Sequence, residues 1–227
     1  MSNVFNKYGI NAGAEWTMPS NVLHGYYGES NANDSIGSQN GSVSGNTYVA
    51  GKVGNCFSFA GAGYMAAGLP TDFNRASKTG VGCAYECWAS FAAWGAGVGS
   101  TAARAISDEN GWKAMIMSTG SGVVSGVKNN GTYVEIQKTG LSLNTWYHFV
   151  MNINSDYSWE FFVDSVSAGT NADTTIPLNH SNGMNLGVGI TGSLYGPLNG
   201  KVDQGRFYLG PLTQTQITDL YNGGNGR

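Results

Sequence analysis

Acidic and thiol groups are sparse in this sequence, and neither their spacing nor that of the serines matches the usual hydrolytic machinery. Retaining glycoside cleavage needs two carboxylates about 5 Å apart across the scissile bond, but no Glu-x-Asp-x-x-Glu pattern occurs. Asp108 and Glu109 adjoin in an Asp-Glu-Asn-Gly turn, while Glu86 and Glu135 stand alone in separate strand-like runs. A serine nucleophile of the Gly-x-Ser-x-Gly kind needs a strand-to-helix elbow, which neither Gly120-Ser121-Gly122 nor Gly192-Ser193 provides. His24, His148 and His180 lack a placed Ser or Cys. His148, within Trp-Tyr-His, reads as a core histidine bonded to backbone. The sequence therefore predicts no catalytic residues and no enzyme.

The three cysteines, Cys56, Cys83 and Cys87, show neither CxxC spacing nor a neighbouring His, so zinc is not expected. On one strand Cys83 and Cys87 would lie about 13 Å apart at ~3.3 Å per residue, beyond disulfide reach. Cys56 could pair with either across strands, although free buried thiols acting as small apolar groups are favoured.

Sugar binding is the chemistry that the residue types allow. It needs aromatic faces against sugar C–H surfaces and amides or hydroxyls for the hydroxyl groups. Trp94, Trp112 and Tyr195 in or beside loops supply the first, and Asn182 and Asn199 the second. The competing reading packs these aromatics into the core or an interface, and for the strand-initial Trp112 it is preferred.

What must position such groups is a β scaffold. The chain has 227 residues, enough for a sizeable core. It has 35 Gly and only 11% charged residues, against 41% hydrophobic and 12% aromatic. Too little charge is present for long surface helices, and too much apolar residue for disorder. A net charge of −3 without basic runs removes the footprint of a nucleic-acid or anionic-membrane partner. No apolar run approaches the ~18 residues of a membrane span, and the opening residues show no signal peptide.

Short β-branched and aromatic runs predict strands over 48–53, 55–59, 82–91, 103–107, 112–118, 122–127, 132–137, 146–153, 159–164, 185–189 and 201–209. Asp108–Gly111 and Asn129-Asn130-Gly131 mark hairpin turns. A capping box, Thr213-Gln214-Thr215-Gln216, opens one short helix with an Ile217, Leu220, Tyr221 stripe and a Gly223 stop. The fold expected is an all-β, two-sheet antiparallel jelly-roll sandwich with one short C-terminal helix, spanning residues 21–227. Residues 1–20 lack strand alternation and read as an extended N-terminal arm that docks on this domain or a partner.

Three ordered segments resemble the laminin-G-like branch of the concanavalin A-like lectin/glucanase superfamily. The first runs from Gly25-Tyr26-Tyr27-Gly28 through Asn31–Gly37 to Gly51-Lys52-Val53-Gly54-Asn55-Cys56-Phe57-Ser58-Phe59. The second links Cys87-Trp88 to Thr145-Trp146-Tyr147-His148-Phe149-Val150 and Phe161-Phe162-Val163-Asp164, where Ser165 replaces the family's usual Gly. The third joins Gly200–Tyr208 to Leu212–Gly224. Together they cover roughly residues 22–224.

The resemblance implies a jelly roll whose relatives often carry one structural Ca²⁺. Asn33 and Asp34 in the opening turn and Asp203 in the closing strand are the matching positions, although the scarcity of acids weakens this, and no other cofactor is required. The functional expectation is a non-catalytic structural or adhesion module of a virus particle, such as a phage capsid decoration or tail. It would be anchored to other virion subunits through residues 1–20 and able to bind a cell-surface glycan. It would sit on the virion surface, or outside the cell after lysis. The alternative is a free or secreted-enzyme-derived carbohydrate-binding module with a structural calcium.

Overall fold

The computed structural model describes residues 16–67, 80–97, 101–108, 114–129, 131–175, 184–190 and 194–227. Among the described residues fifteen strands carry the fold. They are β1 (Val22–Tyr26), β2 (Ser42–Ala50), β3 (Asn55–Ala66), β4 (Cys83–Phe91), β5 (Ala103–Asp108), β6 (Ala114–Gly120), β7 (Val123–Asn129) and β8 (Tyr133–Lys138). There follow β9 (Tyr147–Ile153), β10 (Trp159–Val163), β11 (Val166–Asn171), β12 (Met184–Leu186), β13 (Gly189–Ile190), β14 (Leu194–Tyr195) and β15 (Asn199–Leu209). The helix, α1, spans Gln214–Tyr221.

Pairing is antiparallel, in the order β11-β10-β9-β4-β15-β3-β12-β5-β6-β7-β8, with β1 on β15 and β2 on β3. The two layers expected as separate sheets are thus joined through the short β12, which pairs β3 on one side and β5 on the other. The sheet folds back until β10 and β11 meet β8. At this closure a Cβ on Gly126 would lie 2.9 Å from the Phe161 ring, so only glycine admits the aromatic.

Alternation along the strands decides what lies inside. Phe57, Phe59, Tyr85, Cys87, Ala89, Phe91, Phe149, Phe161, Val202 and Phe207 fill the core between the layers, where Phe149 stacks on Phe161 at 6.0 Å. The opposite face of β4, β9, β10 and β15 carries a second cluster: Ala84, Val150, Phe162 and Tyr208 beneath Leu212, Ile217 and Leu220. A helix of eight residues is marginal alone, and burial of Ile217 and Leu220 supplies about 1.5–3 kcal/mol each. Both bonds of the expected capping box form, Gln216 N–H to Thr213 Oγ1 at 3.2 Å and Thr213 N–H to Gln216 Oε1 at 2.8 Å.

Of the first twenty residues, 16–20 are described. Trp16 and Met18 pack on the cluster beneath α1, and Trp16 lies under the Arg227 guanidinium at 5.2 Å. This part of the expected arm therefore docks on its own domain. Cys56, Cys83 and Cys87 are buried free thiols, and burial pushes the Cys56 thiol up to about 12.

Candidate functional site

The outer face of β3, β15, β4 and β9 is built from residues of opposite parity to the core aromatics. Lys201 sits opposite Ser58 of β3 and Ser90 of β4. Trp146 immediately precedes β9 and continues the row beyond Ser90, as the Ala89–Tyr147 register requires. The inward neighbours Phe57, Phe59, Ala89, Phe91 and Val202 are all core, which turns Ser58, Ser90 and Lys201 outward. β15 approaches β4 so closely here that a Cβ on Gly200 would fall 2.3 Å from the Ser90 carbonyl oxygen.

The row opens into a shallow pocket of about 140 Å³ lined by Ser58, Ser90, Asn144, Trp146, Asn199 and Lys201, with Phe59, Ala92 and Gly200 completing its wall. Backbone bonds hold its rim. Asn144, at φ +56°, donates its N–H to the Phe91 carbonyl at 2.8 Å, and the Asn199 carbonyl accepts the Ala92 N–H at 2.8 Å. Among the described residues, none of the side chains of Ser58, Ser90, Asn144, Trp146, Asn199 and Lys201 makes a hydrogen bond or ion pair. Trp146 and Lys201 are half-buried and Asn144 and Asn199 exposed. The pocket thus offers hydroxyl, amide and ammonium donors beside an indole, all uncommitted and none facing a carboxylate in the lining.

Further along the same strands the charged groups are sealed and bonded to one another, while Trp88 Nε1 and His148 Nδ1 are buried without a hydrogen-bond partner. The Glu86 carboxylate receives His148 Nε2 at 3.0 Å, Arg206 Nη1 at 2.9 Å and the Tyr208 hydroxyl. Arg206 also reaches Gln204, the Arg227 carbonyl and the Tyr27 hydroxyl. Burial pushes Glu86 up, but the Arg206 charge and the His148 and Tyr208 bonds outweigh it and hold the carboxyl below its usual range. The isolated acid of the sequence is thus the hub of a buried network, and His148 bonds Glu86 rather than backbone. Glu86 and His148 are both fully buried, so this acid and imidazole do not meet the surface.

The expected calcium positions do not fit a cation cage. Asp34 is closed by N–H donors: Gly25, Ile36 and Gly37 on Oδ1, Gln39 on Oδ2, with His24 Nδ1 at 2.6 Å from Oδ2. Burial raises its pKa, but the His24 and backbone bonds outweigh that and lower it. Asp203 accepts N–H bonds from Lys52, Val53 and Gln204; burial dominates and pushes it up to about 6. The Asn33 N–H is bonded to Asn31 Oδ1. Among the described residues no group of three or more His, Cys, Asp or Glu is placed to hold a metal.

Of the expected sugar-binding residues, Asn199 lines the pocket. Trp94 stacks on Phe91 at 5.8 Å and packs on the core. Tyr195 closes the β13–β14 pair opposite Gly189. Trp112 and Asn182 lie outside the described residues. Ser58, Ser90, Asn144, Trp146 and Lys201 were not singled out from sequence. Their signal was parity: a serine between Phe57 and Phe59 and another between Ala89 and Phe91.

A nearly closed antiparallel jelly roll with its open polar pocket on an outer face defines a lectin-like class of β-sandwich. A family model described as the concanavalin A-like lectin/glucanases superfamily matches residues 63–218, and the chain belongs to that superfamily. Among solved structures it is similar to domain 4 of AbnA, a GH43 extracellular arabinanase from Geobacillus stearothermophilus solved with arabinotriose. The TM-score is 0.66 at 17% identity, over 87% of this chain and 97% of that one. It also resembles the binding domain of Paraclostridial Mosquitocidal Protein 1, with TM-score 0.71 and 12% identity over 90% of this chain and 52% of that one. Trypanosoma rangeli sialidase in complex with sialic acid aligns at TM-score 0.69 and 12% identity, over 92% of this chain and only 34% of the sialidase. No curated protein matches the sequence. At these identities the structural likeness establishes the fold, and the site must speak for function.

Proposed function

We propose that this chain is a non-catalytic carbohydrate-binding module that holds a glycan in the pocket of Ser58, Ser90, Asn144, Trp146, Asn199 and Lys201. The observation that carries this is that six polar or indole side chains gathered on one concave, solvent-open place make no hydrogen bond or ion pair among the described residues. Sugar rings present C–H faces to an indole and hydroxyls to amides and serines, and those are the groups on offer. The rim is fixed by backbone, which lowers the ordering cost of binding. The arabinanase domain solved with arabinotriose supports sugar binding on this fold. The test is a glycan array and titration calorimetry on the full chain and on Trp146→Ala. Binding that weakens at least tenfold in the variant supports the reading, and undiminished binding overturns it.

A second proposal concerns assembly. Trp16 and Met18 are seated beside α1, and we propose that the first twenty residues serve as an anchor to other subunits of a virus particle. The module would then act on the particle surface or outside the cell after lysis. Deleting residues 1–20 and measuring incorporation into particles tests it; unchanged incorporation rejects the anchor.

A further inference from the structure

We infer that the pocket is selective for acidic oligosaccharides, with Lys201 receiving a carboxylate of the sugar; this rests on the pocket being the glycan site. Lys201 is the pocket's one charged lining residue. It is half-buried, and among the described residues it has no ion pair or hydrogen bond. The neighbouring charges on this face are otherwise engaged. Lys52 lies over the Trp88 ring at 4.7 Å, and Asp203 accepts backbone N–H groups.

A lysine that serves only to cover apolar surface extends its ammonium into open water. Lys201 instead stands between two serines in direct cross-strand register, Ser58 and Ser90, on strands spaced about 4.8 Å apart. Neither hydroxyl has an intramolecular partner, and Ser90 is only 6% exposed. The ammonium and two hydroxyl groups therefore face one small volume as donors, and no lining acid competes for them.

That donor-rich arrangement complements a carboxylate, which only accepts, through charge-assisted bonds stronger than those to a neutral hydroxyl. The Trp146 indole, next in the row, covers the C–H face of the ring bearing that carboxylate. A neutral sugar in the same place gives Lys201 no counter-charge, and so binds less tightly. The ligand class is an oligosaccharide containing hexuronate, in which the carboxylate projects from the ring carbon beside the ring oxygen.

The experiment is calorimetry on the full chain with tetramers of galacturonate, mannuronate and glucuronate, their methyl esters, and neutral arabinotriose. Wild type should bind at least one acidic tetramer about tenfold or more tightly than its methyl ester, which removes the charge and keeps the ring. Lys201→Met should abolish that preference, its affinity for the acid falling about tenfold more than its affinity for the ester, and Lys201→Arg should restore part of it. An unchanged thermal midpoint confirms that Lys201→Met folds.

Equal affinity for acid and ester, no effect of Lys201→Met, or no binding of any acidic tetramer overturns the inference. The parent reading is judged separately by Trp146→Ala. If that variant loses neutral-sugar binding while acid selectivity is absent, the pocket stands and the acidic ligand falls; if it changes no binding at all, both fall.

Discussion

Strands β4, β9 and β15 carry polar residues at both ends of one face, and the two ends treat them in opposite ways. Under α1, Glu86, His148, Arg206 and Tyr208 are each at most 1% exposed and bonded to one another. Beyond Trp88, the same strands present Ser90, Trp146 and Lys201 with no partner. Buried charge is tolerable only when paired, so the sealed end has to satisfy itself. The open end keeps its hydrogen-bonding capacity for something outside the chain. Charged groups sealed and paired with one another mark structure, and uncommitted groups in a concave, solvent-open place mark binding.

The contrast is broken most severely at the sealed end. Glu86→Ala leaves Arg206 buried without its carboxylate and Tyr208 and His148 without their acceptor. Loss of one partner from a buried pair costs about 3–5 kcal/mol, to be read as a lowered urea midpoint. Adding Arg206→Met should recover part of that loss, because it removes the stranded charge. A loss below about 1 kcal/mol for Glu86→Ala alone shows that the network is not what holds this end.

Stability against pH separates the carboxylates by the sign of their shifts. Asp203, raised to about 6 by burial that its backbone bonds only partly offset, binds its proton more tightly folded than unfolded. Its contribution is fully present below the unfolded value of 3.8 and is lost as pH rises through 6. Asp164, also raised by burial, has the same sign. Glu86 and Asp34 are lowered, so their contributions are present above their ordinary values and lost as pH falls below them. Stability should peak near pH 4, decline by on the order of 2 kcal/mol between about pH 4 and 6, and level off toward pH 7. Asp203→Asn should flatten that decline in urea titrations at pH 4.5, 5.5 and 7; an unaltered slope rejects the assignment to Asp203.

The lid over the sealed end is held more lightly. Thr213→Ala removes one bond of the capping box and should cost about 1 kcal/mol. Amide exchange at Ile217 and Leu220 should quicken, while core amides such as Phe149 change only as far as global stability does. Uniform acceleration would show that α1 and the sandwich open together.

Much of the scaffold was legible because its signals are local. The Thr213–Gln216 box forms as spelled, and the strands from β4 to β10 fall within a few residues of their alternating runs. β3 was expected to end at Phe59 but continues to Ala66. Its extension, Ala-Gly-Ala-Gly-Tyr-Met-Ala, is too small and glycine-rich to look like a strand and is held by pairing with β2 and β12. β11 was missed for a related reason: Val-Ser-Ala-Gly-Thr-Asn has little β character. A Cβ on Gly169 would come within 3.1 Å of Ile136 as the sheet closes. The pocket was largely illegible. Asn199 was found by residue type, but the row joins positions 58, 90, 146 and 201 through strand order, and lateral register is not written in any one segment. The same is true of Glu86, whose partners lie 62 to 122 residues away.

The smallest expected effect is the one that most sharpens the contrast. Ser58→Ala, Lys201→Met and Trp146→Ala touch side chains without intramolecular hydrogen bonds, so each of the first two should change unfolding free energy by no more than about 0.5 kcal/mol. Trp146→Ala should cost somewhat more through lost packing, yet well below Glu86→Ala. In calorimetry the ranking reverses: pocket variants lose ligand while Glu86→Ala, at temperatures where it remains folded, keeps it. A pocket variant that destabilised the domain as much as loss of Glu86 would mean that the open end is held by its side chains after all, and the distinction between the two ends would collapse.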